Sequence, residues 1–198
     1  PGLFAGPPKE LADAVRTLAR GGAAVVPVTP KEAGGATLFV RYDAAFPHRR
    51  VPVLAPGTAK PTAADVRAGL TAKDVAARYR AAVALPDHPD AAAKLLPLLN
   101  DASAEVRLAA VVGLGRVGGA DAVGPLAGRL TDGDRFVCAA AARSLAALGP
   151  AARPALKPLA DALPDRNFDH DFRPHRAAEA AEAILTLAPQ SEFAGAAV

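Results

Sequence analysis

The chain has 198 residues, 51% hydrophobic and 22% charged, with aromatics at 5% and no Trp; this suits one domain of ordinary size, with or without an extension, and excludes a disordered chain or a core built on large rings. A net charge of +3 and a pI of about 9.3 permit weak attraction to nucleic acid or an anionic membrane, but exclude a dedicated polycation. The single cysteine, Cys138, excludes an intrachain disulfide and a thiolate metal cluster, and no run approaches the roughly 20 apolar residues of a membrane span.

Residues 1–62 mix turn signals with short apolar runs and read as an N-terminal extension and linker. Pro7-Pro8 precede a helical stretch, Lys9 to Arg20, with Leu11, Val15 and Leu18 on one face, ended by Gly21-Gly22. Apolar runs follow at Ala24–Val28, Thr37–Tyr42 and Arg50–Leu54. The second is β-branched and aromatic, and can pair with the third as a hairpin across Ala44 to His48. Pro52 would confine the third run to a sheet edge. Pro56, Gly57, Lys60 and Pro61 form a linker signal, and Thr62 is placed as the N-cap of a helix beginning Ala63-Ala64-Asp65.

From there to the end, residues 63–198, the sequence repeats itself. Leu99, Asn100, Asp101, Val106, Leu114, Val117 and Gly118 recur 31 residues later as Leu130, Thr131, Asp132, Val137, Leu145, Leu148 and Gly149. Within each unit, Val106, Ala109, Ala110, Leu114 and Val117, like Val137, Ala140, Ala141, Leu145 and Leu148, hold the spacing of one helix face. Second helices follow, with Val123, Leu126, Ala127 and Leu130, then Leu156, Leu159, Ala160 and Leu163. Small Ala at the i+3 and i+4 sites lets helices approach closely, and a single pair cannot bury its stripe without a neighbour. Asp74 to Leu85 predicts a further first helix upstream, although Arg80 falls on its core face. Arg176 to Ala188 predicts another downstream, displaced by an insert at 166–175.

Asp101, Val106-Arg107, Ala109-Ala110, Leu114-Gly115 and Gly118 together resemble the HEAT repeat in its short bacterial, phycobilin-lyase-like form. The resemblance covers about residues 65 to 188. It implies an all-α, right-handed α-solenoid of about three to four helix pairs; the extension and hairpin of residues 1–62, read from the residues themselves, lie outside it. It also implies a structural ladder in which Asp and Arg side chains bond between stacked units, so Asp101, Arg107 and Asp132 are its expected members. Cys138 stands where the next Arg would be. The predominance of Arg over Lys and the abundance of Ala suit a GC-rich bacterial genome.

Chemical signals are few. Gly113-Leu114-Gly115-Arg116-Val117-Gly118 has the glycine spacing of a dinucleotide-binding turn, which would require a strand at Leu108–Val112 and a helix from Ala120 to Leu130. The alternative makes it the end of a repeat helix. The helical face survives at Ser144–Gly149 without the glycines, Pro125 lies inside the proposed crossover helix, and no acidic residue follows Phe136-Val137 to hold a ribose. Asp169, His170, Asp171 and His175 are metal-capable types without a second cluster to complete a site. Cys138 has no histidine nearby in sequence to act as its base. Hence no catalytic group, cofactor or metal is expected.

The reading is a non-catalytic scaffold or accessory subunit whose partner is another protein. Candidate contacts are Lys94, Arg129, Arg153 and Lys157 on second helices, and Arg166, His170, Arg173 and His175 on the insert. The alternatives are a phycobilin-lyase-like enzyme and a helical-repeat nucleic-acid binder. Aromatic side chains do not interleave with the cations, as base stacking would require. No signal peptide is visible, yet the chain begins at Pro1 and has no Met, which implies a fragment or processed product and leaves the compartment open.

Overall fold

The computed structural model describes residues 20–28, 37–43, 46–55, 57–163 and 174–197, with Asp13, Arg16 and Thr17 besides. Those three are helical and exposed, and the Gly22 N–H donates to the Thr17 carbonyl while Gly21 takes φ +79°. The expected glycine stop is therefore present. The remainder of the expected helix over 9–20 lies outside the described residues.

Three antiparallel strands follow: β1 (Ala23–Val28), β2 (Leu38–Asp43) and β3 (Phe46–Val53), in the order β1-β2-β3. Alternation sets their faces. Ala24, Val26, Val28, Leu38, Val40 and Pro52 are buried, while Val25, Arg41 and Val51 point the other way and are exposed. Val26, Val40 and Pro52 form one cross-strand row, and Val25, Arg41 and Val51 the next. The expected β2–β3 hairpin is there, with Pro52 on an edge strand. Two details differ from expectation. The run at Ala24–Val28 is itself a strand, and β3 begins at Phe46, so His48 lies within a strand rather than in the connection. The earlier start lets Asp43 pair with Phe46 beside the turn, after a register shift between Arg41 and Asp43.

Helices make up most of the remaining described residues. α1 (Ala63–Leu70) starts at the expected cap. The Asp65 N–H donates to Thr62 Oγ1 at 3.2 Å, and the Thr62 N–H donates to Asp65 Oδ2 at 2.9 Å, a reciprocal capping box. α2 (Val75–Ala84) is capped by Asp74, which accepts from the Ala77 N–H at 2.8 Å. Ala76, Tyr79 and Ala82 make its buried stripe, continued by Leu85, and Arg80 is exposed. The core face thus passes one residue to either side of Arg80.

α3 (Ala91–Leu95) with the 3-10 turn Leu96–Asn100 is the second helix to α2. The next pair is α4 (Ala104–Val117) and α5 (Ala120–Gly128), followed by the 3-10 turn Arg129–Thr131. Then come α6 (Arg135–Ala147), the 3-10 segment Gly149–Ala155 with α7 (Leu156–Asp161), and finally α8 (Pro174–Leu187) with α9 (Ala194–Ala197). The repeat positions are core: Val106, Ala109, Ala110, Leu114, Val137, Ala140, Ala141 and Leu145 are each at most 2% exposed. Pro125 stands inside α5 without ending it. Both Pro125 and Asp121, whose carbonyl loses its intrahelical donor, are exposed, so water can take the vacated bond.

The chain divides into two compact units, Pro1–Ala110 and Val111–Val198. In the first, α1 packs against α2, and β3 also contacts α2. In the second, α6 packs against both α5 and α8, and α7 against α8. Among the described residues no helix is long and apolar enough to cross a membrane.

Candidate functional site

The first helix of each central pair begins after a short loop, and the same loop position is anchored each time. Arg78 Nη1 donates to the Ala72 carbonyl at 2.8 Å, and Arg107 Nη1 donates to the Asp101 carbonyl at 2.9 Å. The Cys138 thiol donates to the Asp132 carbonyl at 3.0 Å. In each case the donor lies six residues after the carbonyl it holds. Cysteine is shorter than arginine yet still reaches this local carbonyl, and its side chain is fully buried. Burial and a spent S–H describe a packed thiol rather than a nucleophile.

The two loop aspartates also repeat. Asp101 Oδ1 accepts from the Ser103 N–H and Asp132 Oδ1 from the Asp134 N–H, both at 2.9 Å. Each carboxylate thereby ties off a turn two residues ahead of it. Asp101 is further gripped by Arg78, with Nε to Oδ2 at 2.6 Å and Nη2 to Oδ1 at 3.0 Å. That fork raises the Arg78 pKa above its ordinary value, the Asp101 hydrogen bond outweighing the opposing desolvation. Arg78 was not among the expected ladder residues, because Ala72 stands where its own loop aspartate would be. The available signal was its position 29 residues before Arg107, the same offset that relates Leu85 to Leu114.

Other charged groups are buried in pairs that no spacing announced. Arg50 on β3 meets Glu105 on α4 at 3.0 Å, with both side chains about a tenth exposed. Arg143 on α6 meets Glu179 on α8 at 3.4 Å, and the Glu179 side chain is 1% exposed. Tyr79 on α2 reaches the sheet, where its hydroxyl accepts from the Val53 N–H at 3.2 Å and donates to the Phe39 carbonyl. Burial pushes the Tyr79 pKa well above the usual phenol range.

The cations expected on second helices are dispersed in character. Lys94 is exposed on α3, where its Nζ donates to the Pro89 carbonyl at 3.0 Å. Arg129 is half-buried and lies 3.4 Å from Asp132, so it belongs to the surroundings of a loop aspartate. Arg153 is exposed in the Gly149–Ala155 segment. Lys157 is exposed on α7 and pairs with Asp161 one turn on, at 3.0 Å. Arg166, His170 and Arg173 lie outside the described residues. His175 lies in the first turn of α8, which begins two residues earlier than expected.

The glycine motif has a packing explanation. Leu108–Val112, which a dinucleotide-binding turn would need as a strand, is inside α4. A Cβ on Gly115 would come 2.8 Å from Ser144 Cβ and 3.0 Å from Ser144 Cα, so α4 and α6 meet there almost backbone to backbone. Ser144 Oγ completes the contact by donating to the Val111 carbonyl at 2.9 Å. Among the described residues, no three His, Cys, Asp or Glu side chains gather as a metal site would require.

No curated protein matches the chain. The family model for HEAT repeats matches residues 63–146 and 92–182. These spans take in the repeated loops, their arginine and aspartate anchors and the paired helices around them: the chain belongs to the HEAT-repeat family.

Proposed function

We propose that this protein is a non-catalytic scaffold or accessory subunit of a larger assembly, engaging another protein through its repeat surface. The contact residues would be Lys94, Arg129, Arg153 and Lys157, together with Arg166, His170, Arg173 and His175 of the 166–175 segment. HEAT repeats in general serve as protein-interaction scaffolds, and such a fold alone specifies no chemistry.

The observation that carries the reading is where the charges are spent. Asp101, Glu105, Asp132 and Glu179 are withdrawn from solvent and each faces an arginine of the fold. Such carboxylates stabilise loops and helix contacts, and they are poorly placed to exchange protons with a substrate. Lys94, Arg153 and Lys157, by contrast, are exposed on second-helix segments. The Lys157–Asp161 pair is an exposed i,i+4 contact worth only about 0.3–0.5 kcal/mol, so it can be exchanged for a partner's carboxylate.

The test is affinity capture from native extract with the full chain and with an Arg153→Glu, Lys157→Glu variant. Arg129 is left intact because a glutamate there would face buried Asp132. A protein captured stoichiometrically by the parent, cross-linked to its second helices and lost from the variant supports the reading. Capture that is equal for both baits overturns the assigned contact surface. A salt-dependent shift with nucleic acid and no protein partner would replace the reading with a nucleic-acid one.

A further inference from the structure

β1 carries Pro27 and β3 carries Pro47 and Pro52, and the register fixes which way Pro27 and Pro52 face. Phe39 and Val53 stand directly opposite each other. The Tyr79 hydroxyl bridges the Phe39 carbonyl and the Val53 N–H, so these two groups face one another across β2 and β3. In an antiparallel sheet, a residue that turns its backbone groups to one neighbour turns them away from the other. Phe39 thus occupies a non-bonded site toward β1, and Pro27, its partner there, directs its nitrogen and carbonyl to the outer edge.

The same alternation runs one residue on. Val40 turns its groups to Val26 on β1. Pro52, opposite Val40 on β3, therefore also faces outward. Among the described residues, β1 and β3 each pair only with β2, so each proline sits where an incoming strand would look for a donor. A proline there offers no N–H, and its ring Cδ occupies the place of the missing hydrogen.

We propose that Pro27 and Pro52 close both edges of this sheet to strand addition, so that neither a second copy of the chain nor an extended peptide joins it through backbone hydrogen bonds. The competing explanation is that proline is merely tolerated at these outward slots, where no internal bond is lost. The two differ in what happens when the proline is replaced.

The experiment uses the full chain, Pro27→Val, Pro52→Val and the double variant. Self-association is followed by sedimentation velocity, and intermolecular sheet by the amide I infrared band. One opened edge can pair only once, whereas two can propagate. Each single variant is expected to gain a dimer at least tenfold tighter than any self-association of the parent, and the double variant to form longer species with the intermolecular band. Variants that behave like the parent overturn the proposal. The parent chain supplies a second reading that needs no variant to fold. A synthetic peptide copying Leu38–Asp43, the natural neighbour of both edges, should leave the amide resonance of Val25, which faces the same outer edge, unmoved. A saturable shift of that resonance in the parent overturns closure of β1.

Discussion

Arg78 holds Asp101 in a two-point grip across 23 residues of sequence, tying the start of one repeat helix to the loop that precedes the next. The Asp101 side chain is only 7% exposed and that of Arg78 16%, so the pair is partly shielded from water and salt. Removing the cation would leave a shielded carboxylate with only its own turn to satisfy it.

Arg78→Met is therefore expected to destabilise the protein by about 2–3 kcal/mol, somewhat below the cost of stripping one partner from a fully buried pair. Arg78→Lys should recover only part of this, because an ammonium reproduces the charge but not the fork or the Ala72 carbonyl contact. Urea denaturation of the three proteins checks it. A lysine variant as stable as the parent would show that charge alone suffices.

Gly115 and Ser144 set how closely α4 and α6 approach. Gly115→Ala places a methyl against Ser144 Cβ and Cα, and one of these is backbone, which cannot swing aside. The expected cost is about 1–3 kcal/mol of overpacking, seen as a fall in Tm. The double variant Gly115→Ala, Ser144→Gly should regain part of that loss.

Tyr79→Phe keeps the ring in the core and deletes one oxygen. The Val53 N–H and Phe39 carbonyl then lose their shared partner at the end of the β2–β3 ladder. The expected loss is about 1–3 kcal/mol, with faster hydrogen exchange at the Val53 amide than at amides inside α6. An unchanged Val53 exchange rate would mean the hydroxyl does not hold the sheet end.

The capping box gives a pH dependence of fixed sign. The Thr62 hydrogen bonds lower the pKa of Asp65 below its ordinary value. A carboxylate with a depressed folded pKa contributes stability above its unfolded pKa and loses it as pH falls through the folded one. α1 should therefore fray from its N-terminus only below the usual carboxylate range. A carbon-detected titration should place the Asp65 midpoint below 3.8, the ordinary value. Thr62→Val should move it back up.

The sequence by itself determined the repeat and its helix faces. Apolar residues at helical spacing, recurring after 31 residues, leave few ways to bury the stripes, and Val106, Leu114, Val137 and Leu145 are core as that pattern requires. It also determined the local devices, the Thr62 cap and the Gly21 stop, because each depends on neighbours within a few residues. The dinucleotide-like glycine spacing misled locally for the same reason: spacing cannot say whether a missing side chain admits a phosphate or another helix. Only the tertiary structure decided that Gly115 admits Ser144, that Arg78 grips the Asp101 carboxylate, and that Tyr79 reaches the sheet. Those contacts join residues 23 to 40 positions apart. Chain geometry, rather than any local preference, brings such residues within hydrogen-bonding distance, and the energy of the bond is felt only after folding has done so.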